Sequence, residues 1–273
     1  MLAFEMPWIP TWGLVSLVAA LAVFSWGYRW FTGSGRRWRL ALFLAGSVLS
    51  VPALMMPLYY LHVLPERAWF YEFRSWPGSE LCVLPLALAA AAFASWLPRR
   101  GLIVPLFGLM CAALVPYLKP LLGPLPASEF QNQWSGDGAC LQSTAASCGP
   151  ASVATILRAC GVAASEREIA RSAHSYQGGT EAWYLARYIR QRGLTGRFEF
   201  RDDFDPSVGL PAVTGVRLGS NGHFIAVLAV TGDRVVFADP LSGRWEVTIE
   251  EFRQRYRFTG FHLVIGPAAA GRS

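Results

Sequence analysis

Three side chains in the C-terminal half of this 273-residue chain are suited to nucleophilic attack on a carbonyl group: the Cys148 thiol, the His223 imidazole and the Asp239 carboxylate. Cys148 stands in Gln142-Ser143-Thr144-Ala145-Ala146-Ser147-Cys148-Gly149-Pro150, at the start of a predicted helix. Free backbone N–H groups and the positive end of the helix dipole stabilise an anion there and draw a thiol below its usual pKa of about 8.5. Gly149 lets a substrate come close to the backbone, and Pro150 gives up a donor that a first helical turn leaves unused. A thiolate is the nucleophile that acyl transfer from a peptide bond needs. His223 opens the run HFIAVLAV directly after the turn Gly219-Ser220-Asn221-Gly222, where it can act as base toward the thiol and then as acid toward the leaving amine. Asp239 ends the next run, VVFADP, and Thr231-Gly232-Asp233 joins the two as a hairpin turn. Antiparallel pairing returns the end of the second strand to the start of the first. His223 and Asp239 are therefore neighbours by topology, and the carboxylate can hold the imidazole tautomer and stabilise its charged form.

The elements that must position these groups follow from the patterning. Helices are expected over Pro150 to Ala159, stopped by Gly161, and from the capping box Ser165-Glu166-Arg167-Glu168 to about His174. A third runs from a cap at Thr180 to about Arg192, closed by Gly193. The period then changes to strands: Gly196–Phe200, Pro211–Arg217, His223–Val230, Arg234–Ala238 and Arg244–Val247. Thr248-Ile249-Glu250-Glu251 opens one more short helix, and Gly260–Ile265 is a last strand. Helices followed by an antiparallel sheet make an α+β domain. About 130 residues suffice for one core.

The N-terminal part has a different character. The chain is 53% hydrophobic and only 15% charged, and its mean hydropathy is +0.32. Residues 1–119 hold 9 Lys+Arg and 4 Asp+Glu, against 15 and 14 after them. The basic excess thus lies among apolar runs, which excludes a nucleic-acid surface. Charge-free stretches run from Met6 to Tyr28, Leu40 to Pro65, Leu81 to Pro98 and Gly101 to Leu118. A bilayer core needs about 20 apolar residues of helix, so a four-helix transmembrane bundle is expected, with helices over about 8–28, 40–64, 81–98 and 101–118. The first run lacks a basic n-region and a small-residue cleavage site, and reads as a retained helix. Basic residues mark cytoplasmic loops. Arg29, Arg36, Arg37, Arg39, Arg99 and Arg100 place loops one and three inside, which puts both termini outside the cytoplasm. The aromatic second loop, Ala68 to Trp76, reads as an interfacial belt or as a docking platform for the C-terminal domain.

QSTAASCGPAS followed by HFIAVLAVTGDRVVFADPLSG resembles the double-glycine, bacteriocin-processing cysteine peptidase family. That family has Gln six residues before Cys-Gly-Pro, then a His-led strand, then Asp-Pro about sixteen residues on; Gln142, Cys148, His223 and Asp239 match in order and spacing. The resemblance covers roughly residues 139–266 and implies a papain-like fold, with Gln142 lending a side-chain amide to an oxyanion hole beside the Cys148 backbone N–H. It also implies a peptide or protein substrate and export machinery as a partner, and the four apolar runs make the chain a multi-pass protein of the bacterial inner membrane. The chain departs from the family at Ser147, where an acidic residue is common. The best-known relatives are fused to an exporter with an ATPase and cut leaders in the cytosol. Here no GxxxxGK[ST] loop is present and no nucleotide is expected, and the charge pattern places the peptidase domain outside the cytosol.

The expected layout is a membrane domain over 1–119, a Pro/Gly/Ser-rich linker over 120–139, the peptidase domain over 140–267 and a tail over 268–273. His62, His174 and His262 lack ligand spacing, so no metal and no cofactor is expected. Cys140 and Cys160 either pair in an oxidising compartment or stay free; Cys82 and Cys111 read as packing residues. Gly178-Gly179 is a helix–helix turn or a loop beside the cleft. The same constellation would also serve an acyltransferase or amidase, and a fold that has lost catalysis would serve as a peptide receptor.

Overall fold

The computed structural model describes residues 11–61 and 63–267. The beginning of the first expected span, His62 and the expected tail lie outside the described residues. The chain forms two compact units. Among the described residues, one takes in those from Thr11 to Glu66 together with Pro77–Leu122, and the other takes in Arg67–Trp76 together with those from Gly123 to Pro267.

The first unit is helical: α1 (Thr11–Gly33), α2 (Arg36–Leu49), α3 (Val51–Tyr60), then, beyond α4 (Ala68–Ser75) of the other unit, α5 (Val83–Ala94) and α6 (Ile103–Leu122). The Ala-rich α5 is central. Its Ala87, Ala89, Ala90, Ala91, Ala92 and Ala94 are all buried. Helices α1 and α2 seat against it through glycines: a Cβ at Gly27 would stand 3.1 Å from Ala91 Cβ, and one at Gly46 3.0 Å from the Pro85 carbonyl. Small residues in the seam let apolar helices approach without a water-driven force. The large side chains point outward, among them Val18, Trp26, Leu44, Val48 and Phe107. Among the described residues α1 is the one unbroken helix long and apolar enough to cross a membrane. The second expected span is broken at Ser50, with α2 and α3 bent by 41°, and the third is a 12-residue helix preceded by a 3-10 turn over Ser79–Cys82.

The second unit is α+β. Helices α4 (Ala68–Ser75), α7 (Cys148–Ala159), α8 (Glu166–Ser172) and α9 (Ala182–Gln191) precede six strands, β1 (Leu194–Phe200), β2 (Ala212–Leu218), β3 (Asn221–Thr231), β4 (Arg234–Asp239), β5 (Gly243–Thr248) and β6 (Arg257–Pro267), with α10 (Ile249–Arg255) before the last. The sheet is antiparallel in the order β1-β6-β2-β3-β4-β5. A core of Val216, Ile225, Val227, Val235 and Phe237 from the strands closes on Phe252 and Tyr256 of the α10 segment. Thr248 and Glu251 complete the capping box expected there. At Ser165 only half of a box forms. The serine accepts from the Glu168 N–H, but the Glu168 carboxylate turns to the Tyr188 hydroxyl and Arg192. The cap of α9 is Glu181; Thr180 instead bonds the Ser175 hydroxyl, which shifts the start of the helix.

The aromatic loop Ala68 to Trp76 is part of this unit. The Tyr71 ring lies 5.1 Å from that of Trp183, 5.3 Å from Phe198 and 5.9 Å from Phe261. The Glu72 carboxylate accepts the Phe198 N–H and pairs with Arg190. Arg187 donates to the Arg74 and Trp76 carbonyls at 2.8 and 3.0 Å, which satisfies orphan groups at the end of α4. The residues after α6 are also tied down. Pro124 bridges Tyr176, and Trp134 bridges Cys140.

Candidate active site

Cys148 is the first residue of α7 and is half-buried. Two contacts hold the beginning of that helix to β3. A Cβ on Gly149 would stand 3.0 Å from Leu185 Cδ1 and 3.3 Å from Phe224 Cδ2, so only glycine allows this seat without displacement. One turn on, the Ser152 hydroxyl donates to the Phe224 carbonyl at 3.0 Å, next to His223. Alternation along β3 puts His223 on the face of Ile225 and Val227, and alternation along β4 puts Asp239 on the face of Val235 and Phe237. Those residues share one core, so the imidazole and the carboxylate leave the sheet on the same side.

They meet there. His223 Nε2 lies 2.9 Å from Asp239 Oδ1, and the Cys148 thiol stands near enough to the imidazole to favour its charged form. Burial disfavours the charged imidazole, but the bond and charge of Asp239, with Cys148 alongside, outweigh it and raise the His223 pKa to about 9. Burial likewise opposes the Asp239 carboxylate, and three donors outweigh it: His223, the Leu241 N–H at 3.0 Å and the Tyr256 hydroxyl at 2.7 Å. Its pKa is held below 3.8.

Gln142 reaches the same region through the backbone. Its N–H donates to the Pro240 carbonyl at 2.9 Å, beside Asp239. One side-chain Nε2–H donates to the Thr144 carbonyl at 2.8 Å, and an amide nitrogen has a second proton to offer. Ser147 does not cap α7 with its side chain; its hydroxyl is spent on Thr144. The sequence-based reading missed Tyr256. It stands 17 residues from Asp239, at the end of a helix whose local pattern says only that one face is buried.

The other candidates lie apart from this cluster. All five cysteines are free, and burial pushes the Cys140 thiol up to about 12. The Gly178-Gly179 pair forms a tight turn in which Tyr176 and Gly179 exchange backbone hydrogen bonds. His262 is buried against the Thr214 hydroxyl. Among the described residues no group of three His, Cys, Asp or Glu side chains is placed to hold a metal ion.

Fold and site together define a cysteine peptidase with a papain-like α+β domain. The chain belongs to the Peptidase C39 family, whose model matches residues 138–270. An uncharacterized protein of Methanothermobacter marburgensis is 34% identical over 124 residues, covering 45% of this chain and 84% of its own length. A second, from Methanothermobacter thermautotrophicus, is 33% identical over 128 residues, 46% of this chain and 85% of its own. Among solved structures, the peptidase domain of Streptococcus ComA, a bi-functional ABC transporter, is similar over 46% of this chain and 96% of its own, at 18% identity and a TM-score of 0.40. The double glycine motif protease of an AMS/PCAT transporter, solved with its leader peptide, is similar over 46% and 89%, at 23% identity and a TM-score of 0.40.

Proposed function

We propose that the chain is a membrane-anchored peptidase that hydrolyses peptide bonds of exported proteins or peptides through Cys148, His223, Asp239 and Gln142. The observation that carries this reading is a thiol at a helix start set beside a buried imidazole that a buried carboxylate holds by a 2.9 Å hydrogen bond. With Nε2 engaged by Asp239, Nδ1 is the ring nitrogen left to serve the thiol. Proton transfer to the imidazole gives a thiolate–imidazolium pair, which Asp239 stabilises. The thiolate adds to the carbonyl carbon, and the negative charge moves to the carbonyl oxygen. The Cys148 N–H and the spare Gln142 Nε2–H are the donors for that oxyanion. His223 gives its proton to the leaving amine as the C–N bond breaks, leaving a thioester. Water then adds as His223 takes its proton, the acid is released, and the Cys148 thiolate returns.

Anchoring is supported by α1 and by the outward-facing apolar residues of the helical unit. The six arginines of loops one and three favour a peptidase unit outside the cytosol. A reporter that works only in the cytosol, fused after Ser273, should stay silent; activity would refute this orientation.

The chemistry is tested by comparing new N-termini in the secreted and membrane proteomes of cells carrying the intact chain or Cys148→Ala. The variant should lose those termini and its labelling by a thiol-directed peptide electrophile. Undiminished processing by the variant would remove Cys148 from the mechanism.

A further inference from the structure

Gln142 sits on a loop between a bridge residue and a helix start, yet an oxyanion donor must be held to within a fraction of an ångström. Both peptide planes that flank its Cα are pinned. The plane before it carries the Gln142 N–H, bonded to the Pro240 carbonyl at 2.9 Å. The plane after it carries the Ser143 N–H, bonded to Glu166 Oε1 at 2.7 Å. The same carboxylate takes the Ser143 hydroxyl through Oε2 at 2.5 Å, and Ser143 Oγ in turn accepts the Gln131 N–H at 2.9 Å. Fixing both planes fixes φ and ψ of Gln142, and so the root from which its amide extends.

Glu166 is fully buried. Removing a carboxylate from water costs several kcal/mol, so a buried one that serves only to tie a loop is expensive when neutral groups would do. What a carboxylate adds is two charge-assisted acceptors in one plane. They fit the N–H and O–H of a single serine and leave that residue no freedom. Gln142 Oε1 is buried with no hydrogen-bond partner, so the amide is steered by its backbone root and one bond to Thr144.

We propose that Glu166 is a positioning residue for this peptidase, aiming the Gln142 amide at the oxyanion by holding Ser143. The proposal rests on the reading of Gln142 as an oxyanion donor to the Cys148 reaction. Glutamine in place of Glu166 keeps the size but offers one acceptor where Ser143 presents two donors.

The full chain in detergent is tested with two probes that report separately on the thiol and on the oxyanion hole. Iodoacetamide alkylates Cys148 with no oxyanion formed at a carbonyl. An N-acetylated peptide aldehyde ending in glycinal adds the thiol to form a hemithioacetal whose oxygen occupies the hole. Glu166→Gln should weaken aldehyde binding by about 10-fold or more, toward the roughly 100- to 1,000-fold of a lost oxyanion donor, with alkylation of Cys148 unchanged within about twofold. Gln142→Ala should do the same, and adding Glu166→Gln to it should cost nothing further, because the two act as one unit. Ser143→Ala keeps the carboxylate and one of its two bonds; it should give a smaller loss and guards against misfolding of the Glu166 variant. Additive losses, unchanged aldehyde affinity in both Glu166→Gln and Ser143→Ala, or alkylation falling in step with aldehyde binding would overturn the proposal. If Gln142→Ala alone leaves aldehyde binding intact, the oxyanion reading itself fails and the proposal falls with it.

Discussion

Replacing Asp239 by asparagine keeps the shape of the site and removes its one permanent negative charge. In the intact site burial works against the His223 imidazolium, and the bond and charge of Asp239, with Cys148 alongside, prevail to give a pKa of about 9. A hydrogen bond to a charged partner contributes about 1.5–3 kcal/mol, and one pKa unit corresponds to about 1.4 kcal/mol. Loss of the 2.9 Å bond should therefore lower the imidazole from about 9 to about 7–8. The sign follows from the folded site. The imidazolium that the proposed mechanism uses to protonate the leaving group is present below its pKa and lost as pH rises through it. Activity should fall near pH 9 in the intact chain and from about pH 7–8 in the variant.

The same arithmetic separates charge from orientation. At pH 7 the protonated fraction drops from about 99% to between about 50 and 90%. Titration alone thus costs at most about twofold, and any larger loss at pH 7 measures the tautomer and aim that the carboxylate supplies. A peptidyl epoxide suits the assay, because ring opening by the thiolate needs a proton from the imidazolium. Its inactivation rate is followed from pH 6 to 10, with the adduct mapped to Cys148 by mass spectrometry. An alkaline limb that stays near pH 9 in Asp239→Asn would refute the claim that this carboxylate sets the charge of His223.

Other perturbations test the supports. Tyr256→Phe removes one of the three donors on the buried Asp239 carboxylate and should destabilise the fold by about 1.5–3 kcal/mol at neutral pH. Because the folded Asp239 pKa is lowered, that stability is present above the ordinary value of 3.8 and lost as pH falls through the lower folded value; the gap between variant and intact chain in urea melts should therefore be full at pH 7 and shrink as the pH is taken down through that value. Gly149→Ala puts a methyl 3.0 Å from Leu185 Cδ1 and should cost about 1–3 kcal/mol of overpacking while slowing Cys148 labelling; an unchanged melting temperature would show that the seat is loose. Tyr71→Ala empties an aromatic cage and should destabilise the peptidase unit by about 3–5 kcal/mol, read as protease sensitivity of the sheet; unaltered resistance would show that α4 is dispensable to that unit.

The site was legible where its geometry is local. A hairpin with a His at one end and an Asp at the other brings the two together whatever surrounds it, and the helix start at Cys148 is announced by Gly-Pro. The strands β1 to β6 were legible from their alternation, though each extends one to three residues past at least one expected end because pairing with a neighbour stabilises residues of weak propensity. Tyr256 and Glu166 were not legible. Each contributes one polar atom group to a partner 17 or 23 residues away, and nothing in a capping pattern or a buried stripe says which polar group the tertiary fold will bring alongside.

The aromatic loop shows why composition alone leaves such choices open. Tyr, Phe and Trp beside charged residues suit a bilayer interface and a protein seam equally, since both offer one apolar side and one wet one. What decides is whether the polar groups find fixed partners. Glu72 has the Phe198 N–H and Arg190, and Arg190 in turn reaches the Ser75 hydroxyl and the Gly196 carbonyl. Arg74 is buried with its guanidinium 5.9 Å from the Trp183 ring. Partners this specific, aimed at one strand and one helix, are what a folded seam supplies, and they make an eight-residue helix, far up the chain from the sheet it braces, a structural part of the peptidase unit.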